Sequence, residues 1–303
     1  MGVTRALSSP TRPFVVKAAW ALLVANTVII LTGGLVRLTG SGLGCPTWPR
    51  CTDASFTPHR ELGIHGVIEF GNRMLTYALI VVAVVACVAI WRWSEAQLRD
   101  RRLVLLLTLG IPFQGVIGGI TVLTDLNPWI VALHLILSLV LVAGSTVLLM
   151  RVMGTSVPAV PEGVRRLALA VLGVLWVVVY LGTVVTGSGP HAGDAKAPRN
   201  GIDPHVMSHV HAFSVYLVVA LTLVLVWKAR GTVAHGPAVA LLVGELAQGL
   251  IGFVQYFTDL PIALVATHLV GAAVLVALGT RLALVTRGVP QDQPADAAQG
   301  VEA

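Results

Sequence analysis

The sequence predicts an all-α membrane protein whose eight transmembrane helices form two parallel-repeat four-helix bundles, and three observations carry that expectation. Hydrophobic residues make up 56% of the chain and charged residues 11%, with a mean hydropathy of +0.85; a soluble domain has about a quarter of its residues charged. Eight apolar runs each approach the roughly 20 residues that span a bilayer as a helix. A motif also recurs 134 residues on: Gln114-Gly-Val-Ile-Gly-Gly, Thr124-Asp-Leu and His134 are echoed by Gln248-Gly-Leu-Ile-Gly-Phe, Thr258-Asp-Leu and His268.

The runs fall at 15–38, 66–91, 103–123, 129–150, 165–186, 206–227, 237–257 and 261–284. The first is too long for a secretory leader and no small-residue cleavage pattern follows it, so it reads as a helix. It ends in Thr39-Gly-Ser-Gly, and the fifth run ends in Thr186-Gly-Ser-Gly. Four helices per half is an even number, so both halves enter the membrane from the same side and the repeats are parallel. This divides the chain into an N-terminal half (15–152), a linker around Met153 to Gly163, a C-terminal half (164–285) and a polar tail (286–303) rich in Gln, Asp and Ala, expected to be disordered.

Charge sets the orientation. With the N-terminus inside, the cytoplasmic segments hold 14 of the 20 Lys and Arg residues, which places both termini in the cytoplasm of a cell-membrane protein. The formal charge of +6 is accounted for in this way, and no basic cluster interleaved with aromatics points to nucleic acid.

Histidine inside hydrocarbon is costly unless it has a partner. His134, His211 and His268 each lie six or seven residues inside the outer ends of their helices, roughly 10 Å deep at 1.5 Å per residue. Imidazoles at one depth on alternate helices of a bundle can hold a haem edge-on between them. Zinc fits less well, since the second half has no cysteine and few carboxylates at that depth. His205 and His209 share a face, and His211 points elsewhere; periodicity does not decide between His209 and His211.

Helix two reads His65-Gly-Val-Ile-Glu69-Phe-Gly-Asn72-Arg73. Glu69 and Asn72 stand one turn apart. A carboxylate at that depth is either ion-paired with Arg73, its i+4 neighbour, or handles protons beside a reacting ligand. Cys45 and Cys51 lie in the first outer loop, where a disulfide or a redox pair is chemically permitted. Trp48 and two prolines make that loop a candidate rigid cap. Cys87, inside helix two, reads as a small hydrophobe.

Taken as a set, these features resemble the haem A synthase family over roughly residues 15–285. The resemblance implies a haem b cofactor held by His211 and His268 in the C-terminal half. It implies that haem O is the substrate in the N-terminal half, facing His134, with its C8 methyl group oxidised to formyl by two hydroxylations and loss of water. Glu69 matches the glutamate of a Glu-x-x-His-Arg motif, which makes it the catalytic candidate with Arg73 beside it; Cys45 and Cys51 match the family's outer-loop pair. The chain departs from the motif at Asn72, which stands where the family has histidine. The substrate haem is then five-coordinate on His134, or His65 reaches in from one turn before Glu69. A haem O-producing farnesyltransferase, a membrane electron acceptor and an oligomer are the partners compatible with this reading. The rival readings are an electron-transfer cytochrome b and a parallel-repeat transporter.

Overall fold

The computed structural model describes residues 9–154 and 158–288. Among them are eight long helices: α1 (Arg12–Leu38), α2 (Gly63–Arg92, preceded by a 3₁₀ turn at Arg60–Leu62), α3 (Leu98–Leu123), α4 (Pro128–Met153), α5 (Glu162–Ser188), α6 (Pro204–Lys228), α7 (His235–Phe257) and α8 (Ile262–Val285). All eight are long and apolar enough to cross a membrane.

The helices follow the apolar runs to within a few residues, most extending slightly beyond them. α3 starts at Leu98 rather than near 103 because Gln97 and Asp100 form a reciprocal capping box, which satisfies N–H groups a helix start leaves open. α6 starts at Pro204, whose missing N–H costs nothing at a first-turn position, with the Asp203 carboxylate accepting from the backbone N–H groups of His205 (2.7 Å) and Val206 (3.3 Å).

Within each half the helices pack as a ring. α1 touches α2 and α4, and α3 touches α2 and α4; likewise α5 touches α6 and α8, and α7 touches α6 and α8. The halves meet through α1 on α8, α4 on α5 and α4 on α8. One buried cluster, including Leu22, Ile90, Leu107, Leu139 and Leu148, fills the first ring, and another, including Val171, Leu225, Leu241 and Leu282, fills the second. Residues turned outward are often large and apolar, for example Val81 at 62% and Phe213 at 68% exposure; such side chains are at home against lipid tails.

The repeated Thr-Asp-Leu is a turn. Asp125 and Leu126 adopt φ of 51° and 61°, and Asp259 and Leu260 both adopt 56°. Two consecutive left-handed residues that are not glycine are strained. In both copies the strain closes the helix end: the Leu126 N–H donates to the Thr121 carbonyl (2.8 Å) and that of Leu260 to the Gln255 carbonyl (2.9 Å), using carbonyls left open there. Each turn sends the chain straight into the helix that carries His134 or His268.

At the C-terminus, Thr286 is buried and donates to the Ala283 carbonyl (2.9 Å). A capping turn thus takes up the first residues assigned to the tail. The rest of the expected disordered tail, from 289 onward, and linker residues 155–157 lie outside the described residues.

Candidate functional site

The two Gln-to-His intervals do the same physical work. Gln114 Nε2 on α3 donates to the backbone carbonyl of His134 on α4 (3.0 Å), and Gln248 Nε2 on α7 donates to that of His268 on α8 (2.8 Å). A bond to a helical carbonyl is a strut between neighbouring helices, and it fixes the level of the histidine. One turn further along each bracing helix a glycine faces the ring. A methyl group built on Gly118 would lie 3.4 Å from His134 Cε1, and one on Gly252 would lie 3.5 Å from His268 Cε1. Nδ1 of both imidazoles is buried without a partner, an unusual state for a polar atom.

In the second half, His211 on α6 points at α5: its Nδ1–H donates to the Val178 carbonyl (3.1 Å), and a methyl on Gly182 would lie 3.3 Å from its Cε1. A backbone carbonyl on Nδ1 leaves Nε2 with its lone pair free, the form in which histidine ligates metals. His209 is exposed, meets the His205 ring at 4.4 Å between centroids with the planes tilted by 51°, and bonds the His205 carbonyl of its own helix. The contacts therefore separate the two candidates: His211 turns toward α5, and His209 is exposed beside His205.

In the first half, the position facing α1 is Asn72. Its Oδ1 accepts from Thr32 Oγ1 (2.8 Å), and Gly33 is the small residue opposite its Nδ2. Asn72 thus occupies the place on α2 that His211 occupies on α6. His65 is exposed, and its Nδ1 shares a 2.9 Å hydrogen bond with Ser41 Oγ of the Thr-Gly-Ser-Gly motif.

Glu69 is buried and fully engaged. Its Oε1 accepts from Arg73 Nη2 (2.5 Å) and Nε (3.2 Å), and its Oε2 accepts from the Cys45 backbone N–H (2.6 Å). Arg73 continues outward, donating to the carbonyls of Cys45 (3.2 Å), Thr47 (3.0 Å) and Arg50 (3.1 Å). Cys45 and Cys51 are joined in a disulfide. The ion pair weighed for Glu69 is therefore formed, and it fastens a covalently closed loop to helix α2.

That loop reaches α3. The Trp48 ring lies where a Cβ on Gly119 would be, one residue from the glycine that faces His134. Only glycine permits this approach. The repeat explains itself here: Gly118-Gly119 becomes Gly252-Phe253 in the second half, where Phe253 is 51% exposed. The pattern alone did not connect Trp48 to Gly119, although the mismatch between the two copies was visible.

Glu245 on α7 was not singled out from the sequence. It is 2% exposed, its Oε1 accepts from Thr222 Oγ1 on α6 (2.9 Å), and its Oε2 has no partner. A lone acidic residue inside an apolar run, one turn before Gln248, was the signal for it.

With this geometry in place, relatives can be compared. Residues 17–280 match the family model described as cytochrome oxidase assembly protein. The heme A synthase of Methylorubrum extorquens is 28% identical over 90% of this chain and 87% of its own length. That of Rhizorhabdus wittichii is 27% identical over 91% and 94%, and that of Alkalihalophilus pseudofirmus is 30% identical over 65% and 69%.

Proposed function

The chain belongs to the cytochrome oxidase assembly protein family, and on that premise we propose that it is an oxidoreductase of the cell membrane that converts haem O to haem A, as the names of its relatives indicate. Its N-terminal half takes the substrate and its C-terminal half holds a haem b cofactor.

The residues fit such groups. His134 and His268 each hold a buried ring nitrogen without a partner, and each ring faces a glycine that leaves space beside it. His211 and His268 would hold the cofactor. A haem with both axial positions taken by imidazole supplies electron transfer rather than an open reactive site. In the substrate half, His134 would meet the haem O iron from one side, with Asn72 a poor ligand and His65 engaged by Ser41.

The remaining residues position and close. Glu69 and Arg73 hold the disulfide loop down, and Trp48 packs on Gly119, so the loop is fixed as a cap over the substrate half. Oxidising a methyl group to a formyl group releases protons, and Glu69 is the buried carboxylate proposed to accept them. Its two oxygens also anchor the loop, so the proton-handling and positioning roles share the same atoms. Haem O carries a greasy tail and would enter from the lipid, delivered by its farnesyltransferase; the electrons would leave to a membrane acceptor. Both termini are assigned to the cytoplasm by the arginine bias.

The doubled strut that fixes an imidazole in each half, Gln114 to His134 and Gln248 to His268, carries this reading. The test is pigment extraction from protein made in cells that also produce haem O. The expected pigments are haem b together with haem O, a hydroxylated intermediate or haem A. His268→Ala should lose haem b, and Glu69→Ala should lose the oxidised products. Haem b alone under every condition would favour an electron-transfer cytochrome, and no haem at all would sink the reading.

A further inference from the structure

The junction of the halves contains two arginines that form no ion pair among the described residues. Arg37 lies in the last turn of α1, and its Nη2 donates to the Thr186 carbonyl of α5 (2.7 Å) while its buried Nε has no partner. Arg199, from the loop between α5 and α6, lines the same crevice as Arg37. Its Nη1 and Nη2 donate to the carbonyls of Ala197 and Pro190, both at 2.8 Å. Carbonyl bonds satisfy N–H groups without cancelling charge. Among the described residues neither arginine has a carboxylate within 4 Å. Asp194 and His191 share the crevice: Asp194 pairs with neither arginine within 4 Å, its Oδ1 accepting from the Lys196 N–H (2.8 Å), and His191 Nε2 is hydrogen-bonded to the Leu260 carbonyl (3.0 Å), so two arginines face a single carboxylate.

The crevice is built rather than incidental. Gly193 has φ of 102°, its carbonyl accepts from the Gly42 N–H (2.8 Å), and a Cβ there would stand 3.4 Å from Arg37 Cγ. Only glycine lets the second half's loop close over this arginine. Two like charges brought together at the edge of a low-dielectric bundle, one with an unfilled donor, require a counter-charge.

We propose that Arg37 and Arg199 form an anion seat between the two halves, filled by a carboxylate or phosphate group from a bound ligand. Two sources share this chemistry. One is a porphyrin propionate, and for it the proposal rests on the haem reading: Arg37 also borders Ala132 and Leu135 of α4, the helix that carries His134, and the polar edge of a porphyrin on His134 would point outward toward the arginine. The other is a phospholipid headgroup at the outer surface, which does not depend on haem.

The test compares the full-length protein with Arg37→Gln, Arg199→Gln and the charge-keeping Arg37→Lys, each first confirmed as folded by circular dichroism. In one arm, haem O, the porphyrin assigned to the His134 side, and its propionate dimethyl ester are titrated into protein depleted of haem O and followed by absorbance. In the other, phosphatidylglycerol retained through purification is measured by native mass spectrometry. A propionate in the seat makes the ester bind about tenfold or more weakly to wild type, with the penalty shrinking in both glutamine variants and persisting in Arg37→Lys. A headgroup in the seat leaves the ester unpenalised and removes the lipid from both glutamine variants. If neither ester nor lipid responds to either arginine, the seat does not exist. Protein that takes up no haem at all defeats the haem reading, and the lipid arm alone then decides the seat.

Discussion

The two halves share a scaffold and differ in what stands opposite the histidine. In both, a glutamine on the third helix braces the histidine of the fourth, and a left-handed Asp-Leu turn leads between them. In the C-terminal half the partner helix offers His211, the bracing helix carries Phe253, and no disulfide closes the outer loop. In the N-terminal half these become Asn72, Gly119 and a loop stapled by Cys45–Cys51 with Trp48 seated on the glycine. The difference teaches where specialisation resides. The imidazole and its brace are common property, while the outer loop and the residue facing the ring, His211 in one half and Asn72 in the other, are where the halves diverge.

The largest effect that sharpens this comparison comes from truncating one buried carboxylate in each half. Glu69→Leu strands the Arg73 guanidinium, whose side chain is 18% exposed, and releases the Cys45 N–H. Breaking a buried pair by removing one partner costs about 3–5 kcal/mol. Thermal unfolding in detergent should show this loss together with disordering of the 45–51 loop, read as protease sensitivity there. Glu245→Leu should do the opposite. Its carboxylate has one hydroxyl partner and no cation, and Thr222 keeps a bond to the Val218 carbonyl (2.9 Å), so the change should lie within about 1 kcal/mol or stabilise. Equal losses at the two positions would mean that the outer loop is not the feature that sets the halves apart.

The next effect converts one half toward the other. Gly119→Phe installs the residue found at position 253 and evicts Trp48. Overpacking of this kind costs about 1–3 kcal/mol. The expected outcome is loss of oxidised product with the absorbance of the C-terminal haem unchanged. Retained product would show that Trp48 is not needed to close the site.

Much of this was legible in the sequence, for identifiable reasons. Helices announce themselves because lipid demands unbroken apolar runs, and their ends lie a few residues beyond those runs, farthest at α3, where Gln97 with Asp100 caps the start. The repeated histidines were legible because a polar ring in such a run is conspicuous. The choice of His211 over His209 needed the contact with Val178, since two positions so close in one helix differ only in which neighbour they face. Trp48 on Gly119 and Arg37 beside Arg199 join segments far apart in sequence, which no local pattern encodes. Glu245 was legible and passed over, because it stands in the half whose chemistry already had two histidines to explain it.

A small expected loss of stability, and the sharpest change in spectroscopy, belongs to Asn72→His. Asn72 is half-buried, with one side-chain hydrogen bond, from Thr32, so replacing it should cost about 0.5–1.5 kcal/mol. Gly33 leaves space on α1 facing this position, much as Gly182 does for His211 on α5. An imidazole here would stand opposite the His134 side of the site in the same relation that His211 bears to His268. Protein loaded with haem O should then gain a second low-spin, six-coordinate spectrum, while wild type shows that signal from its C-terminal haem only. Filling the sixth position should also slow product formation if an accessible face of the iron matters to the oxidation. A variant that binds haem O without becoming low-spin would place position 72 outside ligand reach, and the resemblance between α2 and α6 would then stop at their shared packing against the first helix of each half.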